Sequence, residues 1–68
     1  MRAGQLTRDD CGKRVTWQDK HGRRSIILGH LHVEPTSDGP DLILIRAKDA
    51  DPWDGYVLDA RRKVSVEP

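Results

Sequence analysis

The stretch DADPWDG, Asp49 to Gly55, concentrates three carboxylates, a proline and a tryptophan in seven residues. Alternating carboxylates ahead of a glycine suit a calcium loop, where a hard cation takes several oxygen ligands and the glycine lets the chain turn sharply. Here the spacing is off by one residue, Pro52 stiffens the middle, and no glutamate closes the loop at its twelfth position, so metal ligation is not expected. A connection between two strands accounts for more of the pattern. Pro52 presets φ for a turn, the aspartates accept bonds from turn amides, and Gly55 releases the chain into the next element. Trp53 then has two roles open to it. It can fold back as a lid on the end of the sheet, which a core this small favours, or stand out as an anchor for a partner.

Three other groups of residues could do chemistry. His30 and His32 are two apart on an extended segment and so share a face, as two zinc ligands would. Sequence brings no third ligand to them, and two solvent-facing histidines are the default reading. Cys11 or Ser25 could in principle be activated by a histidine, but there is no nucleophile elbow and no glycine-rich phosphate loop. A chain of this size is also expected to lack a cleft that buries a substrate. No enzymatic activity and no cofactor are expected. Finally, cations cluster at Lys20, Arg23 and Arg24 and again at Arg61, Arg62 and Lys63. With Trp17 and Tyr56 they could form a nucleic-acid surface of the stacking-and-phosphate type. The competing reading is that turns are charged for solubility and to blunt sheet edges.

The elements that must position these residues are short. Sixty-eight residues make one domain, spanning 1–68 with 1–11 as an N-terminal lead-in, and bury only about 60% of the surface the unfolded chain exposes. One cysteine permits no internal disulfide, so the core must come from Val, Ile, Leu and two tryptophans. Charged residues make up 34%, yet the net charge is +1, which is not the balance of an obligate nucleic-acid binder. That charge is segregated: residues 1–24 carry seven Lys/Arg against three Asp/Glu, and residues 25–59 carry two against seven. No apolar run is long enough for a signal peptide or a membrane span, which leads to the expectation of a soluble, cytoplasmic protein with no membrane partner.

Along the chain, TRDDCGK predicts one short helical turn, with Thr7 as cap and Gly12 as stop. The rest reads as strands. KRVTWQ, RRSIILGHLHVE, DLILIRAK, YVLD and VSVE alternate or run apolar, and DKHG, PTSDGP, DADPWDG and ARRK connect them. Gly22 is placed to take a positive φ in a hairpin turn. Gly29, inside the long second strand, marks a bend or a close backbone approach. The fold class is therefore all-β: five strands in a small, strongly bent antiparallel barrel.

The arrangement GKRVTW, GRRSIILGHLHVE, DLILIRAK and GYVLDARRKVSVEP, residues 12–67, resembles the small barrels of the Src-homology-three and Sm-like type. That resemblance implies a bent, shared second strand and a short helical turn between the last two strands. The Sm ribonucleotide motif and a legible peptide groove of aromatic residues are both missing. The opening LTRDDCGKRV is similar in style to small proteins of actinobacteria and their phages, which implies an accessory factor docking on a host protein.

Apolar residues exceed what one barrel interior can use. SIIL puts Ile26 and Leu28 on one face and Ile27 on the other. LILI puts Leu42 and Leu44 on one face and Ile43 and Ile45 on the other; alternation alone is symmetric there and leaves the inward face open, while the parity of Arg46 points to Leu42 and Leu44 as the more exposed pair. Ile26, Leu28, Leu42, Leu44 and Trp53 are the candidate protein-contact residues, the partner being a host factor or a second copy of the chain. The first expectation is thus a non-enzymatic binding module for another protein. The alternative is a nucleic-acid-binding barrel using Lys20, Arg23, Arg24, Arg61, Arg62 and Lys63. A structural homo-oligomer subunit is the third.

Overall fold

The strands begin where alternation begins. A computed structural model describes residues 1–68 and contains β1 (Arg14–Asp19), β2 (Gly22–Glu34), β3 (Leu42–Ala47), β4 (Tyr56–Asp59) and β5 (Val64–Glu67). They form one antiparallel sheet in the order β4-β3-β2-β1-β5. The expected helical turn is a 3-10 turn, Arg8–Asp10, and a second one, Ala3–Gln5, lies in the N-terminal segment that sequence left as a lead-in. No helix is long and apolar enough to cross a membrane.

β2 is shared between two neighbours. Its first half pairs with β1, from Asp19↔Gly22 to Arg14↔Ile27, and its second half pairs with β3, from Leu28↔Ala47 to Glu34↔Leu42. The register shifts between Leu28 and His30, so Gly29 is a bulge. A bulged residue reverses which side chains point inward and sharpens the local twist. Before it, the inward positions are Arg24, Ile26 and Leu28; after it, Leu31 faces inward beside Ile45. Gly29 is required because Lys48 crosses its backbone there. A Cβ at residue 29 would land on the Lys48 Cα and lie 2.7 Å from its amide nitrogen. At the β1–β2 hairpin, Gly22 takes φ +120°.

The core consists of Val15, Trp17, Leu28, Ile43, Ile45, Leu58 and Val64 from the strands, completed by Ala3 and Leu6. Two of the nine core residues thus come from the N-terminal segment. That segment lies against the turn joining β4 to β5. Met1 O accepts from Val64 N–H at 2.8 Å, Ala3 N–H donates to Arg62 O at 2.8 Å, and Gly4 N–H donates to Ala60 O at 2.9 Å. The expected barrel is accordingly not a closed sheet. β4 and β5 remain edge strands, and the N-terminal segment lies along the turn between them, bridging to it at Arg2↔Lys63. The β4–β5 turn is closed by Arg62 N–H to Asp59 O at 2.9 Å; it is not the helical turn that the resemblance implied.

The turn Arg8–Asp10 is fastened by a buried carboxylate. Asp10 is 8% exposed; its Oδ2 accepts from the Thr7 amide at 2.9 Å, and Lys13 lies 3.6 Å from its Oδ1. Asp10→Ala strands that amide and loosens the packing of the preceding Leu6, so a loss of about 1–2 kcal/mol is expected. Urea denaturation measures it, and a midpoint equal to the parent's would show that the turn contributes nothing to stability.

Candidate functional site

Trp53 is 83% exposed, so the lid expected for a small core is not formed. The other two aromatic side chains pack on each other instead. Trp17 meets Tyr56 edge-on, with ring centroids 5.1 Å apart, and the Arg24 guanidinium lies 5.6 Å from the Tyr56 centroid. Trp53 is left at the tip of its loop, which is held by its main chain rather than by its aspartates. Ala50 N–H donates to Ala47 O at 3.1 Å, Asp54 N–H to Asp51 O at 2.9 Å, and Arg46 Nη1 to Pro52 O at 2.9 Å. The side chains of Asp49, Asp51 and Asp54 accept no turn bond, contrary to the sequence-based reading. No group of three His, Cys, Asp or Glu side chains is arranged to hold a metal ion.

Beside this loop β2, β3 and β4 line an open groove of about 740 Å³, to which the outward residues His32, Leu44 and Val57 and the inward-row residues Leu31, Ile45 and Tyr56 all contribute; sequence led to the expectation of no such cleft. Cross-strand pairing puts His32, Leu44 and Val57 in one outward row and Glu34, Leu42 and Asp59 in the next. Leu44 and Val57, Pro52 and Trp53, and the β2 bulge with Arg8 and Cys11 line it. Gly55, in the lining, lets the chain pass close to β3, since a Cβ there would come within 2.9 Å of the Ile45 carbonyl oxygen. Val57 is 61% exposed and Leu42 38%, so apolar surface continues from the groove to its rim. The lining carries Arg8, Arg46, His30 and His32 and no carboxylate. His32 Nε2 lies 2.9 Å from Glu34 Oε2 at the margin. The buried Nε of Arg46 has no hydrogen-bond partner.

Three of the five expected contact residues, Leu42, Leu44 and Trp53, therefore sit on one outward surface. Leu28 and Ile26 do not. Leu28 is fully buried and Ile26 packs against the core, because Ile26 pairs with the inward Val15 and the first half of β2 faces inward at even positions. Val57, exposed on a short strand, was missed; YVLD alternates too briefly to assign its faces.

The basic residues divide as well. Lys20, Arg62 and Lys63 line one polar depression with Gln18 and Asp19, so the two turns do converge. Arg24 is tied to Asp19 at 2.9 Å, and Arg61 to Asp59 at 3.4 Å. The Arg24 hydrogen bond holds the Asp19 carboxyl below its usual range, and the Arg61 amide, aided by its guanidinium, does the same for Asp59. Trp17 is buried and Tyr56 half-buried against it, so neither joins the basic turns as an exposed ring on this side.

No family model, no curated protein and no solved structure matches this chain.

Proposed function

We propose that this chain is a non-enzymatic binding module that docks on another protein through the groove lined by Trp53. The observation that carries the reading is a tryptophan 83% exposed on a main-chain-braced loop, with Leu44 and Val57 in the same groove lining. Tryptophans that anchor in a partner's pocket dominate binding energy, and an uncovered apolar surface rimmed by polar groups marks a contact site on small proteins. The lining's cations and lack of carboxylates select the occupant: an apolar segment of a different protein that also carries carboxylates. An accessory role on a host protein belongs to this reading. The bent, shared β2 and the strand order support the likeness to small Src-homology-three and Sm-like barrels, which work by binding.

The test compares nuclease-treated lysate passed over the immobilised parent, Trp53→Ala, and Ile27→Ser, a change at an outward residue away from the groove. A protein held by the parent and by Ile27→Ser, and weakened at least tenfold by Trp53→Ala, is the expected result; a central anchor is worth about 2 kcal/mol or more. Retention that is equal on all three baits overturns the reading. So does a dimer mass in light scattering that Trp53→Ala abolishes, since the occupant would then be a second copy.

A further inference from the structure

A second surface, independent of the groove, lies on the outer side of β5, β1 and the first half of β2. Pairing sets three rows across it: Gln18 beside Arg23, Ser65–Thr16–Ser25, and Glu67–Arg14–Ile27. The middle row is a run of hydroxyls, with Thr16 Oγ1 and Ser25 Oγ 3.1 Å apart. Beside the Gln18 row lies the depression lined by Lys20, Arg62 and Lys63, where Arg62 Nη1 donates to Gln18 O at 3.1 Å. Arg14, Lys20, Arg23, Arg62 and Lys63 make no ion pair, whereas Arg24 and Arg61 are committed to carboxylates. The carboxylates here are Asp19, bound to Arg24, and Glu67 in the Arg14 row. The surplus of acid that brings the net charge to +1 sits elsewhere, on the connections 35–41 and 48–55.

We propose that this face binds the phosphate backbone of nucleic acid. Five unpaired cations on and beside one sheet face, interleaved with hydroxyl donors, suit a repeating chain of phosphates; guanidinium forks match phosphate oxygens, and hydroxyls add bonds to them. With no exposed aromatic platform on this face, the contact reads charge and not base identity. Binding is therefore indifferent to sequence and steep in salt. Four to five phosphate contacts give a slope of log K against log salt of about −4 on duplex DNA. Between 50 and 200 mM salt the affinity should fall on the order of 10²-fold.

The experiment titrates labelled 24-base-pair duplexes of two unrelated sequences with the full chain at both salt concentrations, with polyglutamate of equal charge as competitor. Equal affinity for the two sequences, the stated salt loss and weak competition by polyglutamate are expected. Arg23→Glu with Lys63→Glu, checked for fold by circular dichroism, should weaken binding at least tenfold. Trp53→Ala should leave it unchanged, which separates this face from the groove. No binding tighter than about 10⁻⁴ M at 50 mM salt, the weak end of non-specific association, overturns the proposal. Indifference to the double reversal, or polyglutamate competing as well as DNA, overturns it equally.

Discussion

Gly29→Val is expected to remove a large share of the domain's stability. The new Cβ would coincide with the Lys48 backbone and not with a side chain that could swing away. Relief requires moving the strand end that holds Lys48 N–H on Ile27 O at 2.9 Å, at the place where β2 passes from one neighbour to the other. A cost of about 3 kcal/mol or more follows from overpacking plus a broken backbone bond. A chain of this length has only about 3–10 kcal/mol of stability in all. Gly39→Val supplies the control, because nothing lies within 4 Å of a Cβ there, and its effect should stay within about 0.5 kcal/mol. Urea denaturation followed by tryptophan fluorescence compares the three. If Gly29→Val unfolds at the parent's midpoint, the bulge is not the joint on which the fold turns.

The second large effect comes from two adjacent residues. Ile45→Lys should unfold the domain, and Leu44→Lys should not. Ile45 is 3% exposed and pairs inward with Leu31 and Tyr56, so a lysine there buries an ammonium with no carboxylate opposite, a change that exceeds the stability available. Leu44, in the outward row between His32 and Val57, projects into the groove, where a lysine keeps its ammonium in water. That variant should melt close to the parent's temperature and lose capture of the partner at least tenfold, because a cation is added to a lining already rich in cations. Circular dichroism separates the folding outcomes and the capture assay separates the binding ones. Two unfolded variants would show that Leu44 is a core residue. Two variants that bind as the parent does would show that the groove is not the docking surface.

Alternation made the strands legible before any coordinates. All five begin within one residue of where the pattern starts them, because a sheet with one buried face requires a period of two. Alternation by itself could not choose between the two faces of LILI; the parity of Arg46 leaned towards Leu42 and Leu44 as the exposed pair, and Ile43 and Ile45 are the buried one. The glycine inside the second strand marked a close backbone approach, which the Lys48 backbone makes. SIIL offered no cue to its inward face; Ile26 and Leu28, read as contact residues, are interior because Ile26 pairs with the inward Val15, and only past the bulge at Gly29 do inside and outside exchange. The N-terminal segment was illegible in another way. Ala3 and Leu6 are two isolated apolar residues without a period, and only their position against the β4–β5 turn makes them core.

The sequence by itself determined the class of fold, the strand boundaries and the two basic turns, because those follow from local periodicity, turn chemistry and residue inventory. Tertiary structure decided everything that depends on who meets whom. It left Trp53 exposed at the tip of its loop, while Trp17, Tyr56 and Arg24 pack on one another. It removed Arg24 and Arg61 from the free cations by placing Asp19 and Asp59 beside them, and brought Lys20 to Arg62 and Lys63 across forty residues of chain. It also assembled the groove from β2, β3, β4 and a loop, none of which carries the site alone. Contacts between residues distant in sequence depend on how far β2 bends and which way its faces point, and a single bulge at Gly29 sets both.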